Sequence, residues 1–226
     1  MILRFLDFER DHRQEKLNGE KLVYCKGFHI AQMYLYFLGK KFILDGSEKI
    51  TVFVKYKKED EEKYVNFDYF GVSWYYLENE EIDAYLNAKS NEEADLILCG
   101  YLRNTLLDIA RKNECSREII DKINYAYDMV VKNNFTLSYE ISKLSKTNRT
   151  LGYRALVFRN MNRDIGEVWS VKVIDKKNND KVVYEEYLNK PPSYIYGSYC
   201  YRSSRWEDNC FVLFNDEKKV QTSLKF

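Results

Sequence analysis

Hydrophobic and polar positions alternate with two different periods along this chain, and the period changes twice. Near the N-terminus, Leu3–Phe8 and Leu22–Phe28 read as short strands, and Ile30–Leu38 as a short apolar helix. Ile50, Val52, Val54 and Tyr56 then alternate as a half-buried strand does. The charged run Lys57–Lys63 predicts a solvated turn, with Tyr64–Phe70 returning as the partner strand of a hairpin. Val72–Leu77 reads as a third strand, and Glu78–Asn87 as a short helix.

The central stretch switches to helical spacing. Ser90 followed by Glu93 fits a capping box, in which each end of the pair satisfies a backbone N–H left over at a helix start. Ala94, Ile97, Leu98, Tyr101, Leu102, Leu106, Ile109 and Ala110 then recur on one face, with Asn113 as a stop. Ser116 is placed to cap a second helix carrying Ile119, Ile120, Ile123, Tyr127 and Val130. After Asn134 the period returns to two, at Phe135–Ile141 and Trp169–Val173. Lys176–Asp180 predicts a turn into Val182–Leu188, and Pro191–Pro192 breaks that run. Tyr194–Tyr201 and Cys210–Phe214 read as strands joined by a loop at Arg202–Asn209. The pattern predicts an α+β fold with antiparallel β regions flanking a central helical hairpin. It is read as one domain over 1–226, with a two-lobe split near 88–91 as the alternative.

Charge changes this picture more than composition does. Residues 57–95 hold twelve acidic and four basic side chains, while 143–177 hold nine basic and three acidic, in a chain of net charge +1. Segregated charge on a near-neutral chain suggests oriented faces offered to a partner. The longest apolar window, Phe28–Leu38, is too short to span a bilayer, so no membrane association is expected. The N-terminus is charged and has no leader-like apolar run, and the five cysteines are dispersed with no C-x-x-C pair. Both features point to a cytoplasmic protein with reduced thiols, the alternative being a Cys200–Cys210 bridge.

Candidate chemistry is sparse. Two histidines, no nucleotide-binding glycine motif and no nucleophile elbow leave no assigned catalytic residue, no cofactor and no metal site. Four weaker patterns remain. Cys25 and His29 are spaced to pair, although a histidine beside an apolar run belongs more often to a core. Asp7, Glu9 and Asp11, followed by His12, could converge on a cation from one strand face. Asp164, Asp175 and Lys177 have the residue types of a metal-dependent nuclease, set in a basic segment. Arg149, Arg154, Arg159 and Arg163 stand among Tyr153 and Phe158, as on a nucleic-acid surface. Strand alternation would send Arg154 and Arg159 to opposite faces, which argues against nucleic acid as the partner.

The acidic half offers a more workable surface. Trp74, Tyr75 and Tyr76 precede Glu78, Glu80, Glu81 and Asp83. Aromatic anchors ringed by carboxylates suit a basic protein partner, with the rings as hot spot and the acids steering association. The same residues also fit a plain alternative, a core strand running into an acidic helix start. The leading expectation is a protein-binding module of the inhibitor or immunity type that neutralises a basic partner such as a nuclease toxin. A metal-dependent nuclease or nucleic-acid-binding enzyme using 143–177 is the alternative. Thiol titration of the denatured chain is expected to find five reactive cysteines; three would indicate the Cys200–Cys210 bridge.

Overall fold

Apolar residues on every side of one helix set the architecture of the N-terminal half. The computed structural model describes residues 1–9, 20–54, 62–194 and 200–226, the side chains of 20–25 excluded. The described chain is α+β and divides into two compact units, 1–136 and 137–226, so the 88–91 segment lies inside the first.

The first unit runs β1 (Phe5–Glu9), α1 (Glu20–Leu38), β2 (Lys49–Phe53), β3 (Tyr64–Phe67), β4 (Val72–Tyr76), α2 (Asn79–Leu86), α3 (Asn91–Lys112) and α4 (Arg117–Lys132). The predicted strand at Leu22–Phe28 is instead the first half of α1. From Gly27 to Tyr34 that helix is buried on all sides. A segment with no polar face shows no period, so a buried helix and a buried strand look alike in sequence. Gly27 allows the close seating: a Cβ there would stand 2.5 Å from the ring of Phe8 on β1. Tyr34 donates its hydroxyl proton to the carbonyl of Ile123 on α4 at 2.8 Å, tying the buried helix to its neighbour.

The first sheet has the order β1-β2-β4-β3, with β1, β2 and β4 parallel and only β3 antiparallel. This corrects the expected β2–β3 hairpin: β4 lies between them. Burial explains the order. Tyr75 and Tyr76 of β4 are buried, whereas every residue of β3 is only half-buried. The more apolar strand takes the central place and the polar one the edge. Residues 55–61, which include Tyr56 and most of the charged run, lie outside the described residues. Phe8, Val52 and Tyr75 align in register on the face beneath the helices. Tyr75 donates to Asp108 of α3 at 2.7 Å on that side.

The α3 start follows its capping signal. Ser90 Oγ accepts the Glu93 N–H at 3.1 Å, and the Glu93 carboxylate accepts the Lys89 N–H at 2.6 Å. Ser116 occupies the N-cap position of α4, but its hydroxyl makes no capping bond.

The second unit is all antiparallel: β5 (Leu137–Glu140), β6 (Lys146–Asn148), β7 (Tyr153–Asn162), β8 (Gly166–Asp175), β9 (Lys181–Tyr187), β10 (Ser203–Glu207), β11 (Cys210–Phe214) and β12 (Val220–Lys225). A five-stranded sheet (β5 to β9) and a three-stranded sheet (β10 to β12) share a core of Val157, Trp169, Val171, Phe211 and Leu213. β10 falls where a loop was expected, because its polar sequence SSRWE has one buried residue, Ser204. Ser204 donates to the Leu144 carbonyl at 2.6 Å, which holds this strand to the other sheet. Residues 195–199, most of another predicted strand, lie outside the described residues. The four cysteines with described side chains, Cys99, Cys115, Cys200 and Cys210, are free thiols. Among the described residues no helix is long and apolar enough to cross a membrane.

One carboxylate fastens the α1–β2 loop to the sheet. Asp45 accepts from the Ser47 N–H at 3.0 Å, Ser47 Oγ at 2.6 Å, Tyr64 Oη at 2.8 Å and Ser73 Oγ at 2.5 Å. Burial alone would raise its pKa, but these bonds outweigh burial and hold the carboxyl below its ordinary value. A lowered folded-state pKa contributes stability that is complete above the unfolded pKa and lost as pH falls through the folded one. Asp45→Ala is therefore expected to destabilise the first unit by about 2–4 kcal/mol at neutral pH, leaving Ser47 and Ser73 hydroxyls buried without an acceptor. The deficit should shrink in acid, where the native protein loses the same bonds. Urea titrations at neutral and acidic pH check both the size and the sign.

Candidate functional site

Beneath the helix-covered side of the first sheet lies a second face that strand register organises into rows. Parallel pairing aligns Phe5, Lys49 and Val72 in one row and Asp7, Thr51 and Trp74 in the next. Antiparallel pairing adds Phe67 beside Val72 and Val65 beside Trp74. Glu9, Phe53 and Tyr76 form the third row. Aromatic rings thus gather toward β4 and charges toward β1. Trp74 packs edge-on against Phe53 at 5.3 Å and against Phe67 at 4.7 Å, and Phe53 stacks on Tyr76 at 5.2 Å.

A cleft of about 420 Å³ opens on this face. Phe67, Phe70, Val72 and Trp74 wall it; Glu9, Lys49 and Thr51 form its polar end. Beside it, at the β3–β4 turn, Tyr69 and Phe70 are 93% and 73% exposed and meet edge to face. Two adjacent rings held in water are costly unless something covers them in use.

The polar end answers the expectation about Asp7 and Glu9. Alternation does bring the two carboxylates to one face, and an ammonium stands between them: Lys49 Nζ lies 3.1 Å from Asp7 Oδ2 and 3.2 Å from Glu9 Oε1. Burial pushes the Asp7 carboxyl up, and Lys49 offsets only part of that. Burial would lower the Lys49 pKa, but the two carboxylates outweigh it and the amine stays charged. Asp11 and His12 lie outside the described residues. Among the described residues no cluster of three or more metal-ligating side chains occurs.

The residues singled out in Trp74–Asp83 separate into distinct roles. Tyr75 and Tyr76 are buried, Tyr75 under α3; burial pushes the Tyr75 phenol well up, and its bond to Asp108 adds to the shift. Trp74 is half-buried and borders the cleft. Glu81 accepts the Glu78 N–H at 2.8 Å, and Glu78 pairs with Lys63 at 3.3 Å, so both serve the start of α2. Glu80 and Asp83 stand exposed. Lys49, Phe67 and Phe70 were missed, since only the register of three strands brings them together.

The other candidates fall apart geometrically. Asp164 sits in the β7–β8 turn, and Asp175 closes the far end of the ten-residue strand β8. That length separates them by about 30 Å, so they share no metal. Asp175 instead accepts the Lys177 N–H at 2.8 Å in a local turn, and Lys177 Nζ donates to the Thr150 carbonyl at 3.2 Å. His29 is fully buried, with Nε2 3.9 Å from Asp95 Oδ2; the Cys25 side chain lies outside the described residues. Arg149 lines a larger cleft of about 600 Å³ with Asp208, but there the Trp206 indole N–H already donates to the Lys146 carbonyl at 3.0 Å. Arg154 pairs with Glu140 at 3.1 Å.

Arg159 is committed to the core of its unit. Its Nη2 lies 2.5 Å from Glu167 Oε2 and its Nη1 donates to Tyr139 Oη at 3.1 Å. Trp169 Nε1 donates to the other oxygen of Glu167 at 2.7 Å. Burial would lower the guanidinium pKa, but the charge and hydrogen bonds of Glu167 and Tyr139 together outweigh it and hold it above its ordinary value. Comparison with protein-family models, curated proteins and solved structures finds no match to this chain. Glu167 is fully buried, so removing either partner strands the other. Glu167→Ala is expected to cost the second unit about 3–5 kcal/mol, and Arg159→Met with Glu167→Leu to recover part of it, the Trp169 indole N–H still losing its acceptor. Thermal unfolding followed through Trp169 fluorescence measures both.

Proposed function

We propose that the protein is a binding module that covers a basic partner with the row face of its first unit. An inhibitor or immunity-type protein that neutralises a basic toxin such as a nuclease fits this reading. The observation that carries it is the exposed Tyr69–Phe70 pair beside the cleft walled by Phe67 and Trp74. Exposed rings around a concave site are what a hot spot requires, since they bury much apolar area with few rotamers to freeze. Charge supports a basic partner. The first unit holds twenty basic and twenty-four acidic side chains, net −4, against sixteen and eleven in the second, net +5. Exposed Glu80 and Asp83 supply long-range attraction beyond the far end of β4, about 13 Å along the strand from Val72 to Tyr76.

The partner is to be isolated by co-purification and its association rate measured over a range of salt. Glu80→Lys with Asp83→Lys is expected to slow association about tenfold at low salt and to flatten its salt dependence. Glu78 and Glu81 are left intact because they build the helix start. Phe70→Ala is expected to speed dissociation by about 30-fold, the equivalent of about 2 kcal/mol. Unchanged rates in both variants would place the contact on another surface, and the reading would fail.

A further inference from the structure

Resting on that reading of the row face, we propose that the cleft is an anchor pocket for an arginine side chain of the partner. Its volume, about 420 Å³, is at the small end of the range for ligand sites and suits one side chain better than a helix or strand. Its two ends ask for different chemistry. The walls are the rings of Phe67, Phe70 and Trp74, so the occupant needs a flat or apolar body. At the polar end Glu9 and Lys49 line the cleft, and the buried Asp7 carboxylate, which does not line it, pairs with the same ammonium. Among the described residues the three together carry a net charge of −1, so the end repels an anion and leaves a carboxylate unbalanced against an apolar group.

The spare charge belongs to Glu9. Lys49 takes one oxygen of each carboxylate. Asp7 is buried and further held by the Thr51 hydroxyl. The Glu9 side chain is 40% exposed, and among the described residues its Oε2 has no partner. A guanidinium meets both demands at once. It is planar and weakly hydrated, it stacks on rings, and its N–H groups reach a carboxylate. A lysine ammonium keeps a tighter water shell and has no face to stack, and citrulline has the face without the charge. Lys49 sets the polarity of the pocket: by pairing with the buried Asp7 it leaves Glu9, among the described lining residues, as the carboxylate open to a ligand.

The test uses the full chain and three capped tripeptides, acetyl-Gly-Arg-Gly-amide and its lysine and citrulline counterparts. The readout is the indole N–H resonance of Trp74, assigned with Trp74→Phe. The arginine peptide is expected to shift this resonance saturably, with at least fivefold tighter binding than either counterpart. Glu9→Gln should remove that preference, and the half-exposed site leaves the fold intact by circular dichroism. Equal binding of lysine or citrulline, or an unchanged preference in Glu9→Gln, would overturn the proposal. Partner affinity separates the two readings. If Phe70→Ala weakens the complex and Glu9→Gln does not, the face binds the partner without an arginine anchor. If neither variant matters, the face reading fails and takes the pocket with it. Loss in both, with the arginine preference, is the expected result.

Discussion

Burial of α1 on all sides from Gly27 to Tyr34 is the constraint from which the first unit follows. A helical stretch with no solvent face needs cover both below and above. The sheet supplies the lower side, with Gly27 lying directly on Phe8, and α4 meets it through Tyr34. Crossing over the sheet in this way makes β1 and β2 parallel, since the chain returns to the same end before entering the second strand. Parallel register then fixes which side chains stand together on the opposite face. Lys49 meets Asp7 and Glu9 because α1 dictates the direction of β1 and β2, and the antiparallel β3–β4 pairing brings Phe67 to Trp74.

The two units solve the problem of buried charge in different ways. In the first, Lys49 and its carboxylates sit at a half-open cleft, where water still reaches Glu9. In the second, Glu167 is fully buried and bound by Arg159 and the Trp169 indole. A sealed pair brings specificity of packing and little freedom to change. An open one can exchange partners at small cost, which is why the functional argument settles on the first.

Much of this was legible in the chain, and what was not has a common cause. The α3 start could be read from Ser90 and Glu93 because capping is local. Strands β2, β5 and β8 announced themselves by alternation, one face of each being the more buried or the more apolar. α1 was half-missed because burial on all sides erases the period. β10 was missed because its polar residues point to water and its anchoring is a single serine. The shared face of Asp7 and Glu9 followed from alternation, but their partner lies forty residues on, in a neighbour strand that sequence pairing rules had assigned to a hairpin. The nuclease-like triplet failed for a related reason: Asp164 falls in the β7–β8 turn and Asp175 at the far end of β8, so the chain length between them became distance.

The clamp on Lys49 also bears on how this chain can change over generations. An ammonium held between one buried and one half-exposed carboxylate ties its position to the buried one far more tightly than to the other. Loss of Lys49 alone removes the ammonium that offsets the burial of Asp7, so a lineage drifting there passes through a defective intermediate unless Asp7 is exchanged first for a neutral residue. Glu9, reached by water, carries no such debt. Descendants of this sequence should therefore vary Asp7 and Lys49 in concert, and Glu9 by the separate demands of whatever it meets.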